Sequence, residues 1–302
     1  MKCSNTIENL YNEQPKIFET FLASTNAKTA MNDFLLNFIT KHVSDFKKNE
    51  NLISLLDIGC GPCAVEKFVL PKLFDRFPKI KIKVTLIDSC AGLQQDVQWL
   101  SANVPDPEYY YIQSSIENIQ SQEIVKDQQK YDWIICSHLL YYLNNWQTEI
   151  NRYLSWLADT GVLFVSLRSK NSPILQLQKI FSTLTKKHST RALVYGENVV
   201  ENFIDTGIEH QFFVVNSIIS IPVLDVYSMP TKVSDLAESE NQALQIIKFY
   251  THCELWKNVS DEILHEARTF LLSNVVSDFV QVGVREIYIV AYNRKHTNSY
   301  GT

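Results

Sequence analysis

Residues 52–70 read LISLLDIGCGPCAVEKFVL, and this stretch decides the fold. It begins with a nearly continuous apolar run that reaches Asp57 and Ile58, as expected of a central strand covered on both faces. Gly59 and Gly61 follow as a glycine-x-glycine turn, and apolar residues then recur at helical spacing. Glycine lets the backbone approach a ligand closely, and a helix N-terminus offers free N–H groups. The stretch therefore predicts a nucleotide-type binding turn.

Strand and helix patterns alternate from this turn as far as residue 168. Further strands are predicted at residues 81–89, 109–112, 131–136 and 162–167. The helices between them are predicted near residues 64–73, at 96–100 and over 139–157, with a turn at 159–161 and with Pro71 shortening or bending the first helix. Alternation at this spacing predicts a parallel sheet with helices on both faces, a doubly wound Rossmann-like α/β fold.

The flanking segments extend this core. An amphipathic helix over 30–46 predicts a helical N-terminal cap at residues 1–50, ahead of a binding core at 51–168. Residues 169–302 predict a C-terminal α+β addition that completes the sheet and forms a substrate lobe. Its expected elements are helices over 173–187, 233–255 and 260–275 and strands over 210–223 and 284–292. We expect the three segments to pack as one compact unit.

Composition describes an ordinary soluble protein. The 302 residues are 45% hydrophobic and 20% charged, with a net charge of −5. This balance excludes the basic surface that nucleic acid requires. No apolar run is long enough to span a membrane, and the polar first residues do not resemble a signal peptide. Six cysteines in a chain of this kind suggest reduced thiols. We expect a cytoplasmic protein, favour a monomer, and predict neither a membrane nor a nucleic-acid partner.

The candidate binding residues follow the strands. In an open parallel sheet the ligand lies outside the carboxyl ends of the strands. The residues at those ends are Asp57, Gly59, Cys60, Gly61, Asp88, Ser89, Ser114, Ser115, Ser137 and His138. Asp88 is far enough downstream to take both hydroxyls of a ribose. Ala64 stands where a third glycine would serve a pyrophosphate, and Glu66 would repel one. A nucleoside that carries a sulfonium has no phosphate to repel.

The stretch Asp57-Ile58-Gly59-Cys60-Gly61 resembles motif I of class I S-adenosylmethionine-dependent methyltransferases, over about residues 50–168. The resemblance implies S-adenosylmethionine as the cofactor. We expect no metal, because no second close-spaced pair of ligands accompanies Cys60 and Cys63. In that pattern the glycine turn lies under the methionine and ribose, and Asp57 acts directly or through water. The resemblance further assigns Asp88 to the ribose, Ser114 or Ser115 to the adenine, and Ser137 or His138 to the border of the methyl donor.

A closer resemblance comes from residues 131–146, YDWIICSHLLYYLNNW, which are similar to the corresponding stretch of histamine N-methyltransferase. Residues 18–24, 247–253 and 288–291 also resemble segments of that family. The resemblance implies a small-molecule methyl acceptor, with an amine nitrogen as the acceptor atom. The glutamate and the asparagine with which that family binds its amine fall near Asn26 or Ala27 and near Gly283 or Val284. Neither is present at these positions of this sequence, which disfavours histamine itself and leaves a small amine as the expected acceptor.

His138 and Tyr142 are the catalytic candidates, because they follow the fourth strand. A neutral histidine could accept or orient the proton of an attacking amine, although a histidine that only binds a neighbouring loop fits equally. Tyr141 and Tyr142 could line the acceptor pocket with ring faces that favour a cation, or one of them could be helix core. Phe18, Phe21 and Phe249 are lid candidates by resemblance. We expect the substrate to enter between the N-terminal helix, these tyrosines and the C-terminal lobe.

Other functions stay open at this point. Cys60-Gly61-Pro62-Cys63 spells the thioredoxin tetrapeptide, which would imply disulfide exchange, and Cys90 with Cys136 could complete a metal site. Methyl transfer to a hydroxyl or carboxylate is the alternative reaction. A module that binds the cofactor without catalysis is the alternative class. Ser137-His138-Leu139-Leu140 stands where nucleic-acid and protein methyltransferases carry an Asn/Asp-Pro-Pro-aromatic signature.

Overall fold

A computed structural model describes residues 15–46, 52–104, 106–124, 130–181, 194–236, 241–251 and 259–293. The helices are α1 Pro15–Ser24, α2 Ala27–Phe46, α3 Ala64–Arg76, α4 Gln94–Asn103, α5 Ser121–Ile124, α6 Trp146–Ser155, α7 Leu175–Ile180, α8 Gly196–Thr206, α9 Val223–Tyr227, α10 Gln242–Thr251 and α11 Asp261–Leu272. The strands are β1 Leu52–Ile58, β2 Lys81–Asp88, β3 Glu108–Gln113, β4 Tyr131–Ser137, β5 Leu157–Arg168, β6 His210–Pro222, β7 Val275–Val276 and β8 Phe279–Tyr292.

The strands form one sheet in the order β3-β2-β1-β4-β5-β8-β6, with β7 paired to β8. The β1–β2, β1–β4, β2–β3 and β4–β5 pairs are all parallel. The chain order reverses between β1 and β4, which is where ligands bind in doubly wound folds. The predicted doubly wound α/β sheet is confirmed, and the two late strands extend it as expected.

Strand β1 shows why the opening stretch is central. All of its residues except Leu52 are buried, because β2 and β4 flank it. Helix α3 then buries the residues at helical spacing, Val65, Glu66, Val69, Leu70 and Leu73. The helix continues through Pro71 to Arg76, so the expected shortening at this proline is wrong.

The long helix predicted over 139–157 is wrong in its extent. A single 3₁₀ turn covers Leu140–Tyr142, and α6 begins only at Trp146. The break has a local cause, because the Asn145 side chain accepts a hydrogen bond from the Thr148 N–H and caps α6.

The turn predicted at 159–161 lies inside β5 instead. Tyr131 pairs with Leu157 and Trp133 with Val162, so two steps along β4 correspond to five along β5 and the extra residues form a bulge. A Cβ on Gly161 would lie 2.6 Å from the Tyr131 carbonyl oxygen, so only glycine fits this close approach.

The later elements differ mainly in length. The helix expected over 173–187 ends as α7 at Ile180, and residues 182–193 lie outside the described part of the chain. The helices expected over 233–255 and 260–275 are α10 and α11, and residues 237–240 and 252–258 lie outside the described part. Strand β8 begins at Phe279, ahead of the predicted start at residue 284.

The chain divides into two compact units. The core unit consists of Met31–Ser169, Leu193–Val214 and Ile287–Thr302, and the second unit of Met1–Ala30, Lys170–Ala192 and Val215–Glu286, each so far as the chain is described. Each unit has its own buried apolar cluster. The unit boundaries fall at other residues than 50 and 168, and the three-part division stays a prediction. Within the described ranges no helix has both the length and the apolar character to cross a membrane.

Candidate cofactor site

The glycine turn is tied to the end of β2. The N–H groups of Gly59 and Cys60 donate to the Ile87 carbonyl oxygen at 2.8 and 3.2 Å, and the Gly61 N–H donates to Oδ2 of Asp88 at 3.0 Å. The N–H groups of these three residues are therefore engaged in hydrogen bonds within the protein. The turn has no side chain at Gly59 and Gly61, the Cys60 side chain is buried, and these hydrogen bonds fix its shape.

Gly59 also meets a geometric demand. Its φ of +76° lies in the left-handed region that favours glycine. A Cβ at this position would lie 3.2 Å from Cδ1 of Leu139, which packs against the turn from the segment after β4. Leu139 was not singled out from the sequence, because nothing in its neighbourhood indicates that it contacts β1.

The Asp88 carboxyl is held in place by backbone donors. Its Oδ2 accepts from Gly61 and its Oδ1 accepts from the Cys90 N–H at 2.9 Å. Burial raises the pKa of Asp88, while hydrogen bonds from the N–H groups of Cys90, Gly61 and Ser89 oppose this rise. A carboxylate at a strand end, fixed beside the glycine turn, suits the predicted ribose contact.

Asp57 has a different neighbour. It is 3% exposed, and the Glu66 carboxyl from the first turn of α3 lies within hydrogen-bonding reach and is 1% exposed. Burial raises the pKa of Asp57 well above its ordinary value, and the charge and hydrogen bond of Glu66 add to that rise. Burial also raises the pKa of Glu66. From the sequence, Glu66 was interpreted only as a group that would repel pyrophosphate. Its spacing with the apolar residues of α3 was a signal that its side chain is buried.

Ser137 and His138 lie at the same edge, after β4. The Ser137 hydroxyl is 2.7 Å from the Ser166 hydroxyl and 3.2 Å from Sδ of Met31, which belongs to α2. His138 has a φ of +52°, which is unusual for a residue other than glycine, and its N–H donates to the Ser166 carbonyl oxygen at 2.9 Å. Strained backbone of this kind concentrates at functional sites. Met31 was missed as a neighbour of Ser137.

The predicted acceptor tyrosines lie close to His138. The rings of His138 and Tyr141 have centroids 6.3 Å apart, and those of Tyr141 and Tyr142 are 4.5 Å apart and edge to face. Burial raises the pKa of Tyr142 to about 12, and the positive charge of Arg168 at the end of β5 acts in the opposite direction. The Tyr142 phenol therefore keeps its proton at neutral pH and can donate a hydrogen bond.

The serines after β2 and β3 are arranged by the strand ends. The Ser114 N–H donates to the Asp88 carbonyl oxygen at 2.9 Å, and the Ser114 hydroxyl donates to the Ser115 carbonyl oxygen at 3.3 Å. Ser89 is exposed and Ser115 is partly buried. These residues thus remain candidates for the adenine and ribose contacts.

The lid candidates belong to the second unit. Phe21 on α1 stacks on Phe249 of α10 with ring centroids 3.8 Å apart, and Phe21 also meets the edge of Tyr250. Both phenylalanines pack against the apolar cluster of that unit. Phe18 lies on α1, but its side chain is outside the described part. The lid role stays a prediction.

The four cysteines near the strand ends carry free, buried thiols. Cys60, Cys63, Cys90 and Cys136 are free and buried. A hydrogen bond with Cys63, followed by burial, raises the pKa of the Cys60 thiol, whereas disulfide exchange needs a lowered one. No group of three or more potential metal ligands occurs among the described residues.

These features fit S-adenosylmethionine. The two glycines of the turn leave its backbone open to a ligand, Asp88 can accept from a ribose, and buried carboxyls beneath the turn favour a nearby cation. S-Adenosylmethionine has one nucleoside, no phosphate and a positively charged sulfonium, which these groups complement.

Comparison with known proteins agrees with this arrangement. A family model described as "Methyltransferase domain" matches residues 26–197, more than half of the chain. The ubiquinone biosynthesis O-methyltransferase of Rickettsia canadensis is 25% identical over 185 residues, which cover 59% of this chain and 70% of that protein. Histamine N-methyltransferase B of Xenopus laevis is 23% identical over 200 residues, covering 64% and 68%.

Solved structures share the fold. The plantazolicin methyltransferase BamL, solved with a triazolic desmethylPZN analog and SAH, superposes with a TM-score of 0.50 at 16% identity, covering 96% of this chain and 95% of that one. The family match carries more weight than this likeness, because it is specific to sequence. The chain belongs to the methyltransferase domain family, and the predicted S-adenosylmethionine-dependent methyltransferase and its cofactor are thereby confirmed.

Proposed function

We propose that this protein transfers a methyl group from S-adenosylmethionine to the amine nitrogen of a small molecule. The observation that carries the proposal is the group His138, Tyr141 and Tyr142, which lies directly after β4, next to the strand whose end holds the glycine turn. Relatives named histamine N-methyltransferase in Xenopus laevis and Danio rerio support an amine.

The named residues can perform the steps that such a transfer needs. S-Adenosylmethionine supplies an electrophilic methyl group on its sulfonium when bound. Asp88 and the glycine turn hold the nucleoside, so that positioning lowers the barrier to in-line attack. The faces of Tyr141 and Tyr142 attract an amine in its cationic form. His138 accepts or orients the amine proton, because the nitrogen must carry a free lone pair at attack.

The acceptor is an amine other than histamine. Asn26 falls near the position of the histamine family's substrate-binding glutamate, and its Oδ1 accepts from the Ile218 N–H at 2.8 Å. Its N–H also donates to the Ile218 carbonyl oxygen. Asn26 thus joins β6 and lacks the carboxylate that would bind an ammonium group.

Transfer to oxygen is the second candidate. A specific observation favours it, namely the 25% identity to a protein named as an O-methyltransferase. The Tyr142 phenol, which keeps its proton, could donate to a hydroxyl or carboxylate acceptor as readily as to an amine.

A methyl-transfer screen over small amines, alcohols and acids tests the proposal. We expect products methylated at nitrogen without added metal. Products methylated only at oxygen would establish the second candidate. Cofactor binding without turnover of any acceptor would favour a binding module.

A His138→Ala variant tests the role of the histidine. We expect kcat to fall by roughly 10²–10⁴-fold, the usual contribution of acid–base catalysis, with little change in cofactor affinity. His210→Ala on β6 is the control, since the described contacts of His210 are to Ile208 and Phe203. Equal activity of the His138→Ala variant and the wild type would assign His138 to loop structure alone.

A further inference from the structure

Glu66 lies on the buried face of α3, and no donor from another residue satisfies its carboxyl. Among the described residues no neighbouring N–H or hydroxyl donates to either carboxyl oxygen of Glu66 or to Oδ1 of Asp57, while the backbone N–H of Glu66 itself partly opposes the rise in the pKa of its own carboxyl. A buried charge without hydrogen bonds is costly, and two facing carboxylates are costlier still. One proton shared between the oxygens of the two carboxyls would lower this cost.

The surrounding groups favour that proton. The carboxyl of Asp88 on β2 acts against a negative charge on Asp57. Lys67 is the cation that acts on Glu66, but its Nζ is 2.5 Å from Oδ1 of Asp96. Three further groups interact with the pair, namely Cys60, Tyr109 on β3 and Cys136 on β4. Their pKa values are raised above their ordinary values, so they are neutral at neutral pH and add no charge.

We propose that Glu66 is a positioning residue that couples cofactor binding to this proton. The Asp57–Glu66 pair releases it to solvent when the sulfonium of S-adenosylmethionine binds at the turn. The pair takes one proton back from solvent once methyl transfer has left the neutral thioether of S-adenosylhomocysteine. The inference rests on the cofactor of the proposed function and assigns that site a means of distinguishing substrate from product.

The physical reason is the place of the pair beneath the turn. Asp57 immediately precedes Ile58 and Gly59, at the carboxyl end of β1 where the ligand binds. A cation near a buried acid favours its charged form, and the effect is large where water is excluded. S-Adenosylmethionine and S-adenosylhomocysteine differ by one methyl group and one positive charge, so comparing them isolates that effect.

Calorimetry on the full chain tests the proposal. Each ligand is titrated at pH 7.5 in phosphate and in Tris, whose ionisation enthalpies differ, so the number of protons released is measured directly. We expect S-adenosylmethionine to release more protons than S-adenosylhomocysteine. Its Kd should tighten with rising pH by at most about tenfold per unit for one proton.

Two variants separate this role from a structural one. Glu66→Gln keeps the shape and gives Asp57 a permanent N–H donor, so the difference in proton release between the ligands should vanish. Asp132→Asn is the matched control, because Asp132 is also buried but lies at the opposite end of β4, where its Oδ2 accepts from the Ser54 N–H. This variant should retain the wild-type difference.

The outcomes are distinct. Equal proton release by the two ligands in the wild type overturns the proposal, and this comparison requires no variant to fold. A difference that persists in Glu66→Gln also overturns it. Failure of both ligands to bind the wild type refutes the cofactor assignment itself, and the proton coupling with it.

Discussion

Strands β1 and β2 lie side by side, and the aspartates near their ends are held in opposite ways. Asp88 accepts from the N–H groups of Gly61 and Cys90 at 3.0 and 2.9 Å. Asp57 faces a second carboxyl, that of Glu66. At the end of β2 the protein therefore supplies hydrogen-bond donors to a carboxyl, whereas at the end of β1 two carboxyls face each other and compete for a proton.

The difference between these two aspartates shows that a position at the carboxyl end of a strand does not by itself define the role of an acidic residue. Both aspartates follow apolar runs, and both side chains are largely removed from water. Backbone donors stabilise the charged form of Asp88, as at many ligand-binding carboxylates. The missing donors at Asp57 make its charge depend on what binds above it.

The largest effect on cofactor affinity is expected from removing the carboxylate at the end of β2. Asp88→Ala removes a charged acceptor of the ribose hydroxyls and should weaken S-adenosylhomocysteine binding by roughly 1.5–3 kcal/mol, measured by calorimetry. Glu108→Ala is the control, since Glu108 is an exposed carboxylate on neighbouring β3, whose Oε2 lies 3.7 Å from Nζ of Lys83 and accepts from the Tyr110 hydroxyl at 3.4 Å. Unchanged affinity in Asp88→Ala would remove Asp88 from the cofactor site.

The next largest effect is expected from changing the glycine turn, which follows β1 and is hydrogen-bonded to the end of β2. Gly59→Ala forces a side chain into left-handed backbone, at a cost of about 1–2 kcal/mol, and places it against Leu139. Gly207→Ala is a matched control, because Gly207 has a φ of +67° and no atom within 4 Å of its Cβ position. Urea unfolding should show a larger loss for Gly59→Ala, and only that variant should lose cofactor affinity. Equal losses would mean that Leu139 moves aside.

The raised pKa of Asp57, at the end of β1, predicts that the stability of the protein depends on pH. The pKa of Asp57 is higher in the folded state than in the unfolded state. Its contribution to stability is therefore fully present below the unfolded-state pKa, near 4, and is lost as the pH rises through the folded-state pKa. The cofactor-free free energy of unfolding should fall by at most about 1.4 kcal/mol per pH unit for each proton. Asp57→Asn should flatten this slope in urea unfolding between pH 5 and 8. The same slope in the variant and the wild type would show that the pair holds no proton.

The smallest effect is expected from the thiols within the turn. A Cys60→Ser, Cys63→Ser double variant should still bind S-adenosylhomocysteine, because neither thiol is needed for the cradle. Thiol oxidants should inhibit binding to the wild type and leave the variant unaffected. Loss of binding in the untreated variant would give these cysteines an essential role.

The sequence predicted the strand-end residues well, because apolar runs mark buried strands and parallel order brings their carboxyl ends together. Asp57, Asp88 and His138 were found in this way. The Asp57–Glu66 contact was missed, because helical spacing shows that Glu66 is buried but not what it faces. The proximity of Met31 to Ser137 depends on how α2 packs, which no local pattern records.

The errors in element length have similar causes. Leu157 belongs to β5 because it pairs with Tyr131 of β4. The bulge that follows it has the local sequence pattern of a turn. The helix predicted from residue 139 fails because the Asn145 cap restarts the helix at Trp146. In both cases a hydrogen-bonding partner outweighs local propensity.

The position of β8 has a consequence for folding in the cell. This strand is the last one described along the chain, yet it lies between β5 and β6 in the sheet. During synthesis β5 and β6 must therefore wait with unpaired edges until Phe279–Tyr292 leaves the ribosome. A ribosome stalled before that point would carry a nascent chain prone to aggregation, and chaperone dependence should end abruptly once β8 emerges.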